Sequence, residues 1–494
     1  MTRKKNVTKK IVKKVATKKK AVKKTVKKVA TKKSVSKNAV SRDIKNNKSL
    51  GDGIAAQLKP VGGQLALQTV RGMRDVLPGD QAYWQQIRKV FEKRSIEYGF
   101  SRIDTPVIEL ESLFTKAIGE NTDIINSELY VFNAKSGDKV ALRPELTASI
   151  ARAYIQHGMT ILPKPIKLFS MGSVYRYDKP GEGRYREFHQ AEFNIFGEDD
   201  AILDAQIMQI AHRVLESLGI KNIQFRVNSI GTAESRKEYL KLLTAYFRSK
   251  KSKLPAKYRD MITANPMRIF DAKDDKCMQV CAGAPQAIDH LDKESREHFK
   301  NLLEYLDELD LSYTIDSHLV RGLDYYTRTV FEISVADEHG VRHSLGGGGR
   351  FDELVELFGG EPTPAIGFAF GIDRLIMEMK RVKAKKYQPA QPRVFLAQLG
   401  DLAKKKSLQL FADIEQSGIL VAESFGRGAL KAQLRYASKL GVDLTLIIGQ
   451  QEALDETVIV KNMITGTQET ITRDKAVTFV KKGLKETTKL VKRK

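Results

Sequence analysis

The chain of 494 residues is long enough for two or three domains, and its formal net charge is +26. No run of about 18 apolar residues occurs, which excludes a transmembrane helix, and the basic N-terminus lacks the apolar segment of a secretory signal. A mitochondrial presequence would be rich in Arg and Ser, where this terminus is rich in Lys, so the chain is expected in the cytoplasm.

The charge is unevenly placed. Of 85 basic and 59 acidic residues, positions 1–60 hold 21 lysines and arginines against only Asp43 and Asp52. The octapeptide Val-Lys-Lys-Val-Ala-Thr-Lys-Lys begins at Val12 and again at Val26. Val12, Val15, Val22, Val26 and Val29 form a thin apolar stripe on a polycation. Charge repulsion and β-branching oppose a helix there in isolation. Two readings stand side by side: a disordered solubilising tail, or an arm for a polyanion such as tRNA, ribosomal RNA or DNA.

After a Gly/Gln/Leu linker, the pattern predicts an amphipathic helix over 81–98, with Trp84, Ile87, Phe91, Ile96 and Tyr98 as its apolar groups and Gly99 as its stop. Residues 100–110 read as extended, interrupted by Pro106. A helix is expected over 143–157, with Pro144 in its first turn. Two strands, 166–177 and 185–196, form a long hairpin around Pro180, Gly181 and Gly183. Its second strand alternates. Phe188, Gln190, Glu192 and Asn194 share one face, and His189, Ala191, Phe193 and Ile195 share the other, apolar one.

Residues 231–310 are charged and helical in pattern, as in an insertion. A strand follows at 327–335, and Gly346 to Gly349 are expected to lead into a helix at 351–358. An apolar strand at 365–371 precedes a helix carrying Asp373 and Arg374. From 393 the pattern alternates strand, helix, strand, helix, strand to 448, as in a small α/β domain. Residues 485–494 read as a frayed basic tail. The two cysteines, Cys277 and Cys281, leave a structural zinc site two ligands short, and are read as reduced thiols.

No P-loop, hydrolase nucleophile motif or metal-binding His pair is present. Arginines instead stand at strand ends and loops: Arg176, Arg184, Arg321 and Arg374. Guanidinium groups clamp phosphates bidentately and keep their charge. Any one of them alone would be an ordinary surface arginine.

Their joint setting resembles class II aminoacyl-tRNA synthetases. Thr105-Pro106-Val107-Ile108-Glu109 is similar to the first motif of that class, which lies at the dimer interface. Val174 to Asp178 with Gly183 to Gln190 resembles the second, and Gly367 to Leu375 the third. Between them, Leu319-Val320-Arg321-Gly322-Leu323-Asp324-Tyr325-Tyr326 through Glu332 resembles a stretch peculiar to histidyl-tRNA synthetases. Gly347-Gly348-Gly349-Arg350-Phe351-Asp352, Arg71-Gly72-Met73-Arg74-Asp75 and Leu142 to Thr147 resemble the same family.

The resemblance implies an α+β fold: a mixed, mainly antiparallel sheet in a catalytic domain over 61–389, with a helical insertion near 231–310, and an α/β anticodon-binding domain over 390–484. Residues 1–60 and 485–494 would flank it as tails. It implies a homodimer that joins histidine to tRNA(His) through histidyl-adenylate, with ATP as co-substrate and Mg²⁺ on the leaving diphosphate. No dedicated protein metal site is expected. Arg176 would contact the α-phosphate, and Arg374 the γ-phosphate. Arg184 would close from the hairpin loop, with Phe188 stacking on adenine. Glu145, Thr147 and Gln190 would bind the α-amino group. Tyr325 and Tyr326 would lie at the histidine, with Tyr326 touching the imidazole, and Arg321 would bridge the α-phosphate and the histidine carboxylate. Two anions must meet, so positioning and cationic clamps carry the chemistry.

One position departs from the family pattern. Asn194 stands where a carboxylate usually reads the imidazole; as a histidine-binding residue its amide oxygen can still accept from the imidazole N–H, but without a charge, and Glu192, on the same face, is the candidate to supply that charge. A histidine-sensing regulatory subunit of ATP phosphoribosyltransferase is the alternative reading. It is disfavoured by the retained Arg176, Arg321 and Arg374 and by residues 390–484.

Overall fold

The computed structural model describes residues 68–492, apart from 273, 338 and 427. The lysine-rich segment, and both readings of it, lie outside the described residues.

Helix α1 (Gln81–Glu97) buries Trp84, Ile87, Val90, Phe91 and Ser95. Ile96, expected on that face, is 78% exposed. A turn of 100° per residue sets the buried face at 84, 87, 91 and 95, and 96 falls beyond it. Strand β1 (Ser101–Arg102) follows, then β2 (Ile108–Leu110), α2 (Glu111–Ile118), β3 (Val131–Asn133) and β4 (Lys139–Leu142). The last three strands make a small sheet in the order β2-β4-β3.

Helix α3 spans Thr147–Gln156, four residues later than its expected start. Arg143 is held extended instead: its N–H donates to the Val107 carbonyl, and its own carbonyl accepts from Tyr175 N–H. Its guanidinium reaches the Thr105 carbonyl at 2.7 Å and the Ser173 carbonyl at 2.9 Å, which ties the Pro106 segment to the hairpin.

The hairpin is β5 (Ile166–Tyr175) and β6 (Glu187–Phe196), in register over its whole length. Next come α4 (Ala201–Ser217), β7 (Ile223–Ser229), α5 (Ala233–Ser249), several short turns, α6 (Asp275–Cys281) and α7 (Lys293–Glu308). Cys277 and Cys281 are unbridged and buried in a separate apolar cluster with Tyr239, Leu243 and Phe247. Phe299, Leu302 and Leu306 of α7 join the main core instead. Strands β8 (Tyr313–Ile315), β9 (Thr327–Ala336), β10 (Arg342–Arg350) and β11 (Ala365–Gly371), then helix α8 (Ile372–Arg381), complete this part.

The eight-stranded sheet runs β1-β5-β6-β11-β10-β9-β7-β8. Its pairs are antiparallel except at the two edges, β1 with β5 and β7 with β8. Gly346 to Gly349 are themselves strand, in the second half of β10, and the helix expected at 351–358 is shortened to Leu354–Leu357. Backbone crowding explains the glycines: a Cβ at Gly348 would stand 2.0 Å from the Gly367 carbonyl oxygen on the neighbouring strand.

Under β10, Arg350 is fully buried and pairs with Asp204 at 2.8 Å and Asp352 at 3.1 Å, while His298 meets Asp204 at 2.9 Å. This network joins β10 to α4 and α7. Buried charges are tolerated when paired on every side in this way.

A second sheet has the order β13-β12-β14-β15-β16, from β12 (Val394–Gln398), β13 (Val421–Glu423), β14 (Leu444–Ile448), β15 (Thr457–Asn462) and β16 (Gln468–Thr472). Helices α9 (Asp401–Gln416), α10 (Leu430–Leu440) and α11 (Ala476–Lys492) accompany it. The expected frayed tail is absent over 485–492, because α11 continues through those residues.

Candidate active site

A cavity of about 460 Å³ opens over the middle of the eight-stranded sheet. Arg176, Arg184, Phe188, Arg374, Glu145, Thr147, Gln190, Arg321, Tyr325 and Tyr326 all line it, and so does Glu192. Asn194 does not. It lies further along β6, buried, and donates Nδ2 to the Glu192 carboxylate at 3.0 Å.

One end of the cavity is cationic. The strand β5 ends at Tyr175, and Arg176 follows with its Nε donating to the Pro144 carbonyl at 2.9 Å. Its guanidinium lies 5.5 Å from the Phe188 ring centroid. Burial pushes the Arg176 guanidinium below its ordinary value, while Glu128 and Glu145 oppose the shift. Arg374, in the first turn of α8, donates to the Ser344 carbonyl at 3.1 Å. Burial and then the Arg184 charge lower its pKa too. Gly347 makes room for Arg321: a Cβ there would lie 2.8 Å from its Nη1. Arginines gathered this closely repel one another, and a polyanionic ligand relieves that repulsion.

The other end is lined by buried carboxylates. Glu145 is buried just before α3 and accepts the N–H groups of Thr147 at 2.7 Å and Ala148 at 2.9 Å. Glu192 is 1% exposed and accepts from Thr147 Oγ1 at 3.3 Å as well as from Asn194. Burial first, and the Glu145 carboxylate second, drive its pKa well above the ordinary range. The buried Oε1 of Gln190 has no hydrogen-bond partner among the described residues, which suits an incoming donor. Tyr325 and Tyr326, with ring centroids 4.7 Å apart, close this end. Burial raises both phenols, so both stay neutral hydrogen-bonding groups.

The stretch around Arg74 is joined to the same site. Arg74 pairs with Asp373 at 2.6 Å, and Asp373 also accepts the backbone N–H of His189 at 3.0 Å. Among the lining residues to which sequence reasoning gave no role are Tyr185, Glu332, Arg268, Asp373, Asp123 and Glu128. Tyr185, Glu332 and Asp373 sit inside the motif-like stretches, so their positions are available from sequence without a role. Arg268 comes from the charged helical region, where one arginine among many carries no signal.

A mainly antiparallel sheet with arginines at its strand ends, beside a pocket of buried carboxylates, is the architecture of a class II aminoacyl-tRNA synthetase catalytic domain. Known proteins narrow the class. Residues 72–375 match the family model described as histidyl-tRNA synthetase, and residues 393–483 match an anticodon binding domain. The histidine–tRNA ligase of Dehalococcoides mccartyi (strain ATCC BAA-2266 / KCTC 15142 / 195) is 42% identical over 84% of this chain and 100% of its own length. That of Caldicellulosiruptor saccharolyticus is 40% identical over 82% of this chain and 97% of its own. The crystal structure of apo S. aureus histidyl-tRNA synthetase superposes with a TM-score of 0.70, at 32% identity, over 84% of this chain and 99% of that one. The chain belongs to the histidyl-tRNA synthetase family.

Proposed function

We propose that this protein is a histidine–tRNA ligase. It activates histidine with ATP to histidyl-adenylate and diphosphate, then transfers the histidyl group to the 3′ end of tRNA(His). One observation carries the reading: a single cavity sets a buried carboxylate pocket directly beside converging arginines. That arrangement suits an α-ammonium at one end and phosphates at the other.

Glu145, Thr147 and the unpartnered Gln190 oxygen receive the α-ammonium. Glu192, raised by burial beside Glu145 in the ligand-free site, becomes a charged acceptor for the imidazole when the cationic ligand arrives, and Asn194 positions it from behind. Tyr325 and Tyr326 enclose the ring. Arg321 lies between the two ends and holds both the carboxylate and the α-phosphate, which brings nucleophile and phosphorus together. Arg176 takes the α-phosphate. Arg374 and Arg184 take the departing diphosphate, and Phe188 stacks on adenine.

Mg²⁺ fits this site only as a companion of the nucleotide. Among the described residues no three His, Cys, Asp or Glu side chains gather into a metal cage. Glu332, on the cavity wall, is a single carboxylate held by Arg226 at 3.0 Å and by Ser344 at 3.1 Å. A cation with one carboxylate and otherwise phosphate and water ligands matches Mg²⁺, which would screen charge on the diphosphate.

A second copy of the chain covers the small sheet. Val107, Ile108, Leu110, Val131 and Phe132 are exposed there, next to the Pro106 segment. Apolar side chains gathered this way favour a protein partner. The β12–β16 domain reads the anticodon arm, and the lysine-rich segment adds nonspecific attraction for RNA or DNA. The cytoplasm is the compartment this reading assigns. Among the described residues no helix is long and apolar enough to cross a membrane.

The test is ATP–diphosphate exchange with each of the twenty amino acids. Exchange with histidine alone is expected. Histidine binding without exchange would overturn the ligase reading in favour of a histidine sensor.

A further inference from the structure

One wall of the cavity is not supplied by the sheet. The turn Pro266–Asp271, between α5 and α6, sets Arg268 on the lining. There its guanidinium meets the Asp123 carboxylate at 2.6 Å. The same turn is anchored on both flanks. Asn265 donates to Asp324 at 3.2 Å, and Phe270 packs on His318 with ring centroids 4.9 Å apart. Asp324 and His318 stand three residues to either side of Arg321.

Asp123 immediately precedes the π-helical turn Ile124–Glu128. Such wide turns are rare and concentrate at functional sites. At its far end the Glu128 carbonyl accepts the Tyr177 N–H at 2.7 Å. The Glu128 carboxyl, raised by burial, is drawn back down mainly by the neighbouring Arg176 charge. A chain of interactions therefore runs from Arg268 through Asp123 and the π-helical turn to Arg176.

We propose that Arg268 is a positioning residue for amino-acid activation. Its ion pair fixes the near end of the 124–128 turn, and that turn holds Arg176 at the angle the α-phosphate requires. The helical region between the hairpin and β9 thereby contributes to the catalytic step as well as to its surroundings. The inference rests on the activation reading given above. Asp123 is largely exposed, so the pair adds little to stability. Placement is different, because a shift of about 1 Å in a positioning group can cost about a hundredfold in rate.

The experiment compares Arg268→Met, Arg268→Lys, Asp123→Asn and the Arg268→Met/Asp123→Asn double variant in histidine-dependent exchange, with thermal melts of each. Arg268→Met and Asp123→Asn are each expected to lower kcat about tenfold or more. KM for ATP and histidine should stay within about threefold and the melts should be unchanged. The double variant should fall no further than the worse single one, because both remove the same link. Arg268→Lys should recover part of the loss. Parental kcat in both single variants, or losses that multiply in the double, would overturn the proposal. Should Arg268→Met fail to fold, Asp123→Asn decides alone, since it changes one exposed carboxylate. A parent protein that exchanges with no amino acid strikes the activation reading and takes this inference with it.

Discussion

At the scale of single residues, Glu192 concentrates what is particular to this chain. Its carboxyl is buried beside a second buried carboxyl, Glu145, and both are raised first of all by burial. Removing only its charge, as in Glu192→Gln, should raise the histidine KM about tenfold or more, the loss of one charge-assisted hydrogen bond. The ATP KM should stay within about twofold. Exchange kinetics at varied histidine and at varied ATP separate the two, and an unchanged histidine KM would remove Glu192 from recognition.

A pH dependence follows from the same burial. The folded protein holds this carboxyl protonated to higher pH than the unfolded chain does. Over that window the unfolded state binds fewer protons, so stability falls as pH rises from the ordinary glutamate range through the raised value. Thermal melts of the ligand-free parent should show that decline, and Glu192→Gln should show a flatter one.

The two-residue alternation of β6 makes Phe188, Gln190 and Glu192 legible as a cavity face from sequence alone. It does not separate Asn194 from them, because alternation reports the face and not the depth. Asn194 pairs across the sheet with Gly367, which does line the cavity, but its own side chain is buried against Glu192 and stays off the lining. Arg268 is illegible for a different reason: it reaches the site from a turn 145 positions away from its partner Asp123.

At the scale of elements, the hairpin is readable because alternation and turn residues agree there, and β11 because a short apolar run suits a strand buried in mid-sheet. The glycine run misleads because glycine weakens a strand and ordinarily marks a turn or a close approach. Here it is the close approach that matters. β10 lies between β9 and β11, and side chains on it would strike both neighbours. Gly347 faces the site, where a Cβ would lie 2.5 Å from the Phe331 carbonyl oxygen and 2.8 Å from Arg321 Nη1. Gly347→Ala should therefore displace Arg321 and strain the strand together. Overpacking of this kind costs about 1–3 kcal/mol of stability, and kcat for exchange should fall about tenfold or more. Urea unfolding and exchange kinetics on one preparation measure both. Parental values in both would mean that the glycine is not needed for the arginine.

At the scale of the whole chain, charge and catalysis are carried by different stretches. The cavity and its supports lie between Arg74 and Arg374. Positions 1–60 contribute 21 of the 85 basic residues and only two of the 59 acidic ones. A segment of that kind acts on polyanions through counterion release, a term that depends on salt and not on sequence. Deleting residues 1–60 should therefore leave kcat and KM for histidine and ATP unchanged in exchange, which involves no nucleic acid. Binding to an unrelated RNA should weaken, and its dependence on salt should become shallower. Every phosphate that the shortened protein no longer neutralises takes about 0.7–0.9 off the slope of log K against log salt, so a difference of about five phosphates would be plain in a titration between about 50 and 200 mM. An identical slope in both proteins would mean that the lysines neutralise no phosphates, and that nonspecific attraction comes from the folded body alone.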